Sequence, residues 1–245
     1  MLLRRLTAHV RDQNWFAVAL DLVVVVVGLF IGLQIDTWWE GQKDARLESA
    51  YLAEIREDFE SNRANLEGQI RETERIISDM ISLHAQSLRP DPGISVPELN
   101  TRFASIHSMP TFVLVKRAYE NLTGSGDLSL LASRPLKNAL AEYYAAAELV
   151  AVVQATHEME LVQTFQPYVI DNLDYAAVSP SASLTYGLVD DFPLTAAGDA
   201  ARILEVIDTQ QFRNVVVQKW VISTDLLDQF RGMLKLTDEV LQLLE

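Results

Sequence analysis

The residues able to do chemistry are few and scattered. The 245-residue chain has four histidines, His9, His84, His107 and His157, at unrelated spacings, and no cysteine. Without cysteine there is neither a disulfide nor a thiolate metal site. His157-Glu158-Met159-Glu160 lacks the second histidine that a zinc-binding helix places one turn away, so no metal is expected. Gly124-Ser125-Gly126 is too short to cradle a phosphate and carries no lysine, and no Gly-x-Ser-x-Gly elbow occurs. Asn121-Leu122-Thr123 fits the glycosylation pattern at chance level and has no meaning in an ordinary bacterium. The sequence therefore reads as non-enzymatic, with no catalytic residue and no cofactor.

Two constellations remain. The first is Asp21 with Gly28 and Gly32, all inside the apolar run FAVALDLVVVVVGLFIGLQI at 16–35. On a helix these three fall within about 40° of one another. A carboxylate at the centre of a membrane helix costs on the order of 2.5–3.5 kcal/mol, somewhat less near the rim. Glycines let another helix approach closely, and the acid then finds a donor on that helix or stays protonated. The three residues are expected to face a second membrane helix, from another copy or a different protein. The second constellation is Tyr119, Tyr143 and Tyr144 around the Ser125-Gly126 turn, where a glycine suits a left-handed position. These rings are either core aromatics with a polar tip or one wall of a partner or ligand surface.

The element that positions the first group is a membrane anchor. Twenty residues at about 1.5 Å each span a hydrocarbon core of about 30 Å. Trp15 marks one rim, and Trp38 and Trp39 the other. No small-x-small cleavage site follows the run, which distinguishes it from a secretory signal. The Val23–Val27 run suits lipid better than a buried core helix. Arg4, Arg5 and Arg11 precede the span against Asp12, whereas Asp36, Glu40 and Asp44 follow it against Lys43 and Arg46. The positive-inside rule puts residues 1–14 in the cytoplasm, 15–39 across the membrane and 40–245 outside; the absence of eukaryotic targeting features points to a bacterium, in which these are the inner membrane and the periplasm. The net charge of −14 falls wholly in that outer part, which argues against nucleic acid as a partner.

The outer part reads as helical. Residues 40–88 contain no proline, and Leu52, Ile55, Phe59, Leu66, Ile70, Ile77, Met80 and His84 form one stripe, interrupted by Asn62 and Thr73. Gly41 and Gly68 are its weak points, and since no breaker but Gly41 lies between Trp38 and Leu47 the helix is expected to continue from the anchor. Arg89-Pro-Asp-Pro-Gly93 stops it. Ser95-Val-Pro-Glu98 looks like a capping box for a helix to about Ser108, and Pro110 is expected to restart a helix through Leu122. Ser133-Arg-Pro-Leu136 opens a long helix running to Phe165 or past Pro167 to Asn172. Residues 174–198 are expected to loop, with an extended piece at 183–189. A short helix over Asp199–Ile207 follows. The last helix, about Thr209–Leu244, carries Phe212, Val216, Trp220, Leu227, Phe230, Leu234, Leu241 and Leu244 on its stripe. The expected fold is all-α: a single N-terminal transmembrane helix followed by an elongated antiparallel helical bundle in which the first and last long helices pair.

Gly32-Leu-Gln-Ile-Asp-Thr-Trp38, Tyr51-Leu-Ala-Glu-Ile-Arg-Glu-Asp58, Ala118-Tyr119-Glu120, Ser125-Gly126 and Glu142-Tyr143-Tyr144 occur in that order. In these motifs residues 15–150 resemble an uncharacterised family of bacterial single-pass membrane proteins, a domain of unknown function. Gly32 stands where many members carry alanine. The resemblance implies a shared topology and a shared partner and supplies no activity. The reading reached from the residues is a scaffold or accessory subunit of an envelope complex, partnered by the bilayer and another membrane helix. The alternative is a ligand-sensing domain that signals through a membrane partner.

Overall fold

Among the described residues every regular element is helical. The computed structural model describes residues 15–89, 95–178 and 200–245, with the backbone alone at 15–19, 21, 176–177 and 200–201. The cytoplasmic tail expected at 1–14, the Pro-Asp-Pro-Gly stop and the extended piece expected at 183–189 lie outside the described residues. Helix α1 covers Trp15–Ser87. Helix α2 covers Val96–Phe103 and tightens into a 3-10 turn at Ala104–Ile106. Helix α3, Arg117–Gly124, precedes a second 3-10 turn at Asp127–Leu130. Helix α4, Arg134–Glu160, passes through a π-helical turn at Leu161–Phe165 into α5, Gln166–Asn172. Helices α6, Tyr175–Val178, α7, Ala200–Ile207, and α8, Gln210–Leu243, complete the chain. By its contacts the chain divides into two units, Met1–Ala53 and Glu54–Glu245.

Within the second unit, α8 runs antiparallel to residues 54–87 of α1. Arg56 donates to the Leu244 carbonyl, Arg63 pairs with Asp238 at 2.9 Å, Arg231 with Glu74 at 2.8 Å, and Arg213 donates to the Ser87 carbonyl at 3.3 Å. One partner advances as the other recedes. Helix α8 also packs along α4. The buried positions on all three helices step alternately by three and four. On α8 they are Phe212, Val216, Lys219, Ser223, Leu226, Phe230, Met233, Thr237 and Val240. On α4 they include Leu136, Leu140, Tyr143, Ala147, Val150 and His157, and on α1 Ile55, Phe59, Asn62, Leu66, Thr73, Ile76, Met80 and Leu83. That rhythm keeps one seam facing its neighbours where a 3.6-residue helix would drift.

The rhythm corrects the stripes expected from hydrophobicity. Trp220 is 40% exposed and its neighbour Lys219 is buried. Ile76 rather than Ile77 faces inward. Asn62 and Thr73 do not interrupt the seam but belong to it.

The helix expected from Pro110 is absent: residues 107–116 have no regular structure, and α3 starts at Arg117. Side chains replace the missing helical bonds. Asn62 accepts from the Val115 N–H and donates to its carbonyl, both at 2.8 Å. Gln154 does the same for Phe112, at 2.7 and 3.3 Å. Gln69 accepts from the Thr111 N–H at 3.0 Å. Lys219 donates to the Ser108 carbonyl at 2.5 Å. Asp58, buried on α1, accepts from the Ala118 N–H at 2.8 Å and so caps α3 from another element.

The Ser95 side chain makes no capping bond, against the box expected there, whereas Ser133 accepts from the Leu136 N–H and Thr209 from the Phe212 N–H. Helix α4 continues through Phe165 and past Pro167. Pro167 cannot donate to a carbonyl one turn back, and it sits just beyond the π-helical turn that absorbs the mismatch.

Three substitutions rank these effects. Phe59→Ala is expected to cost about 3–5 kcal/mol, since the ring is fully buried. Asn62→Leu keeps the volume but orphans a backbone N–H and a carbonyl, for about 2–4 kcal/mol. Trp220→Ala should cost under about 1.5 kcal/mol, because much of the ring is already solvated. Denaturant titration of the detergent-solubilised chain gives the order. If Trp220→Ala proves costlier than Asn62→Leu, the seam assignment is wrong.

Candidate functional site

In the first unit, Leu22 to Trp39 are exposed along α1. This stretch lies in a helix long and apolar enough to cross a membrane, and none of its most apolar window is buried. A methyl group added at Gly28 or Gly32 would meet open space. No packing among the described residues therefore requires glycine at either position, although in an ordinary helix each costs roughly 0.5–1 kcal/mol relative to alanine. Trp38 and Trp39 are exposed, with ring centroids 5.3 Å apart in an edge-on pair. Asp21 shares the face of the two glycines by helical register. Its side chain, like that of Trp15, lies outside the described residues.

The three tyrosines come together in the second unit. Tyr119 of α3 stacks on Tyr144 of α4, with centroids 3.9 Å apart and planes 18° from parallel. Tyr143 meets Tyr144 edge-on at 5.2 Å and packs on Phe59 at 4.5 Å. Tyr143 is fully buried, and burial pushes its hydroxyl up to about 12, the neighbouring Thr237 and Asn62 side chains opposing. Burial pushes Tyr144 higher still, helped by Tyr143, Asp58, Tyr119 and Glu120. Both stay neutral phenols near pH 7 and cannot act as bases there. Gly126 adopts the left-handed conformation, with φ of 82°. Ser125 Oγ donates to the Asn121 and Leu122 carbonyls at 2.9 and 3.3 Å. The loop is thus the exposed C-terminal cap of α3, while the rings near the start of that helix pack inward.

A third group was not singled out in the sequence. Lys219 is 3% exposed, and its ammonium lies 5.0 Å from the centre of the Phe165 ring while bonding to Ser108. Burial lowers it from 10.5 to about 8. His157, buried on α4, has Nε2 3.5 Å from an Asp225 oxygen. Gln218 and Thr164 both donate to Glu160, at 3.0 and 3.2 Å, beside the π-helical turn. A lysine beside Trp220, in step with Phe212, Val216 and Phe230, is the sequence signal for this centre. Among the described residues no three or more His, Cys, Asp or Glu side chains gather as a metal site would need.

The sign of the Lys219 effect is fixed. Between its folded value of about 8 and its unfolded value, the unfolded chain binds a proton that the folded one does not, so stability rises with pH there. Tyr143, Tyr144 and Tyr168 act oppositely above pH 10, where the unfolded chain loses protons first. The denaturant midpoint should therefore climb from about pH 8 to about 9.5. In Lys219→Met the climb should vanish. An unchanged climb in that variant assigns it to another group and rejects the buried ammonium.

No protein-family model, curated protein or solved structure matches the chain, and its function is read from its own residues.

Proposed function

We propose that the chain is a non-enzymatic scaffold or accessory subunit of a bacterial envelope complex. Residues 15–39 anchor it once in the inner membrane, and 40–245 form an elongated antiparallel bundle in the periplasm. Kinship with the single-pass family of unknown function belongs to the same reading. The observation that carries it is the outward face of α4. Leu149, Val152 and Met159 are each more than half exposed, as is Val162 one turn on. Within about 60° of Val152 on the helical wheel stand Ala141, Ala145, Leu149, Ala155, Thr156 and Met159, with Glu148 the one charge between Ala141 and Met159. Solvent-facing helical surfaces are ordinarily polar, and a contiguous apolar one is a surface for association. Met80, Ile81, His84, Val216, Val217 and Trp220 add an apolar groove of about 250 Å³ between α1 and α8. The open space at Gly28 and Gly32 supports a further helix contact in the membrane.

Val152→Lys combined with Met159→Lys should leave thermal unfolding within about 2 °C, since surface changes are usually within about 0.5 kcal/mol. It should also shrink the particle seen by native electrophoresis of solubilised membranes. A particle of unchanged size removes the scaffold reading. Orientation is tested separately. A phosphatase fused after Glu245 should be active, as the arginines before the span require. An inactive phosphatase together with a fluorescent cytoplasmic fusion reverses the topology.

A further inference from the structure

We propose that the outward face shared by α1 and α8 around Trp220 is an interface with a second copy of this chain. The inference rests on the association reading above and names the occupant of its α1–α8 surface. Ile81, Leu88 and Val221 are each more than half exposed there, and Val217 and Trp220 border the apolar groove beside them. The face is also free of charge. Within residues 76–88 the only Asp, Glu, Lys or Arg is Asp79, which is bound to Arg75 and Ser105. From Asn214 to Thr224 on α8 it is Lys219, which is buried. Residues 74–88 at about 1.5 Å each, with two helices about 10 Å apart, outline roughly 400 Å². That is the size of patch that marks an association site, and about half of what each side of a standard stable complex buries. The pair is therefore weak by itself, and insertion of both copies in one membrane raises the local concentration that holds it.

Charge selects the occupant. The chain carries a net charge of −14, so two copies repel unless they meet across a neutral face. The ends of this face bear both signs at matching levels. At one end Glu74 of α1 pairs with Arg231 of α8 at 2.8 Å, and both side chains are about half exposed. At the other, Arg89 follows α1 and Asp208 precedes α8, both exposed at one cavity. A two-fold axis along the helices lays α1 of one copy on α8 of the other. It brings Glu74 to Arg231 of the second copy and Arg89 to Asp208 of the second copy, and the symmetry repeats both pairs. The same axis applied to the outward face of α4 sets Glu148 against Glu148, so the second copy belongs to α1 and α8.

The chain has no cysteine, so disulfide crosslinking in membranes tests this contact directly. Two differently tagged full-length copies are co-expressed, one with Ile81→Cys and the other with Val221→Cys, both at exposed positions. On mild oxidation the mixed product should exceed either same-residue product at least fivefold. Thr101→Cys, exposed on α2, should give no product above background. Adding Val217→Glu to both copies should cut the mixed product at least fivefold, with the circular dichroism of the purified chain unchanged. Three results overturn the proposal. A mixed product no stronger than the Thr101→Cys background leaves the face to a different protein. Same-residue products equal to the mixed one reject the two-fold along the helices. A mixed product indifferent to Val217→Glu places the contact elsewhere. If Val217→Glu unfolds the chain, the pattern of crosslinked positions decides alone. The scaffold reading is judged separately: losing this crosslink while the particle still depends on α4 removes only the second copy, and a crosslink beside an α4-independent particle removes only the scaffold.

Discussion

The second unit depends on satisfying the backbone of residues 107–116. This segment is not helical, yet Pro110 and Phe112 are buried within it. A buried peptide group without a partner costs about 1–3 kcal/mol, so the stretch around Pro110 and Phe112 cannot lie among apolar seams unaided. The partners come from three helices at once: Asn62 and Gln69 of α1, Gln154 of α4 and Lys219 of α8. Each occupies a position in the three-and-four rhythm where a hydrophobic side chain would otherwise stand. A slip of one residue in any helix would misplace its polar side chain and orphan the segment. Polar seam residues fix register in this way at some expense in stability.

That constraint explains what was legible in the sequence. Helix lengths, the caps at Ser133 and Thr209, the left-handed Gly126 and the pairing of first and last helices follow from local periodicity, turn chemistry and amphipathicity. The stripe assignments at Trp220 and Ile77 fail because periodicity was weighed by hydrophobicity. Lys219 lies inside, where its ammonium donates to the Ser108 carbonyl, and Trp220 turns outward. The helix expected from Pro110 fails for the same reason. Thr111, Val113 and Val115 are β-branched and favour extended backbone, but the decisive partners lie more than forty residues away in sequence at Asn62, Gln69 and Gln154. No local pattern announces a side chain that substitutes for a strand. Tyr119, Tyr143 and Tyr144 meet one another in the fold, and only the fold shows Phe59 beneath Tyr143.

The apolar stretch Leu22 to Trp39 obeys the opposite logic. Within the second unit every seam position is explained by something the chain itself supplies. Along Leu22 to Trp39 the described residues supply nothing: the apolar side chains are exposed, and the two glycines face no described neighbour. An apolar helix of that length is stable in hydrocarbon, where its backbone bonds are all internal. Glycine weakens a helix relative to alanine, and no contact among the described residues calls for it at Gly28 or Gly32.

The partners of the extended segment also match it in chemical type. Val115 and Phe112 each present a donor and an acceptor, and each is met by a carboxamide, which carries both. Thr111 presents its N–H to the Gln69 oxygen. Ser108 presents a carbonyl and is met by an ammonium, which only donates. Ala118 presents an N–H and is met by the Asp58 carboxylate, which only accepts. The two ends of the stretch are therefore held by ions and its middle by neutral amides.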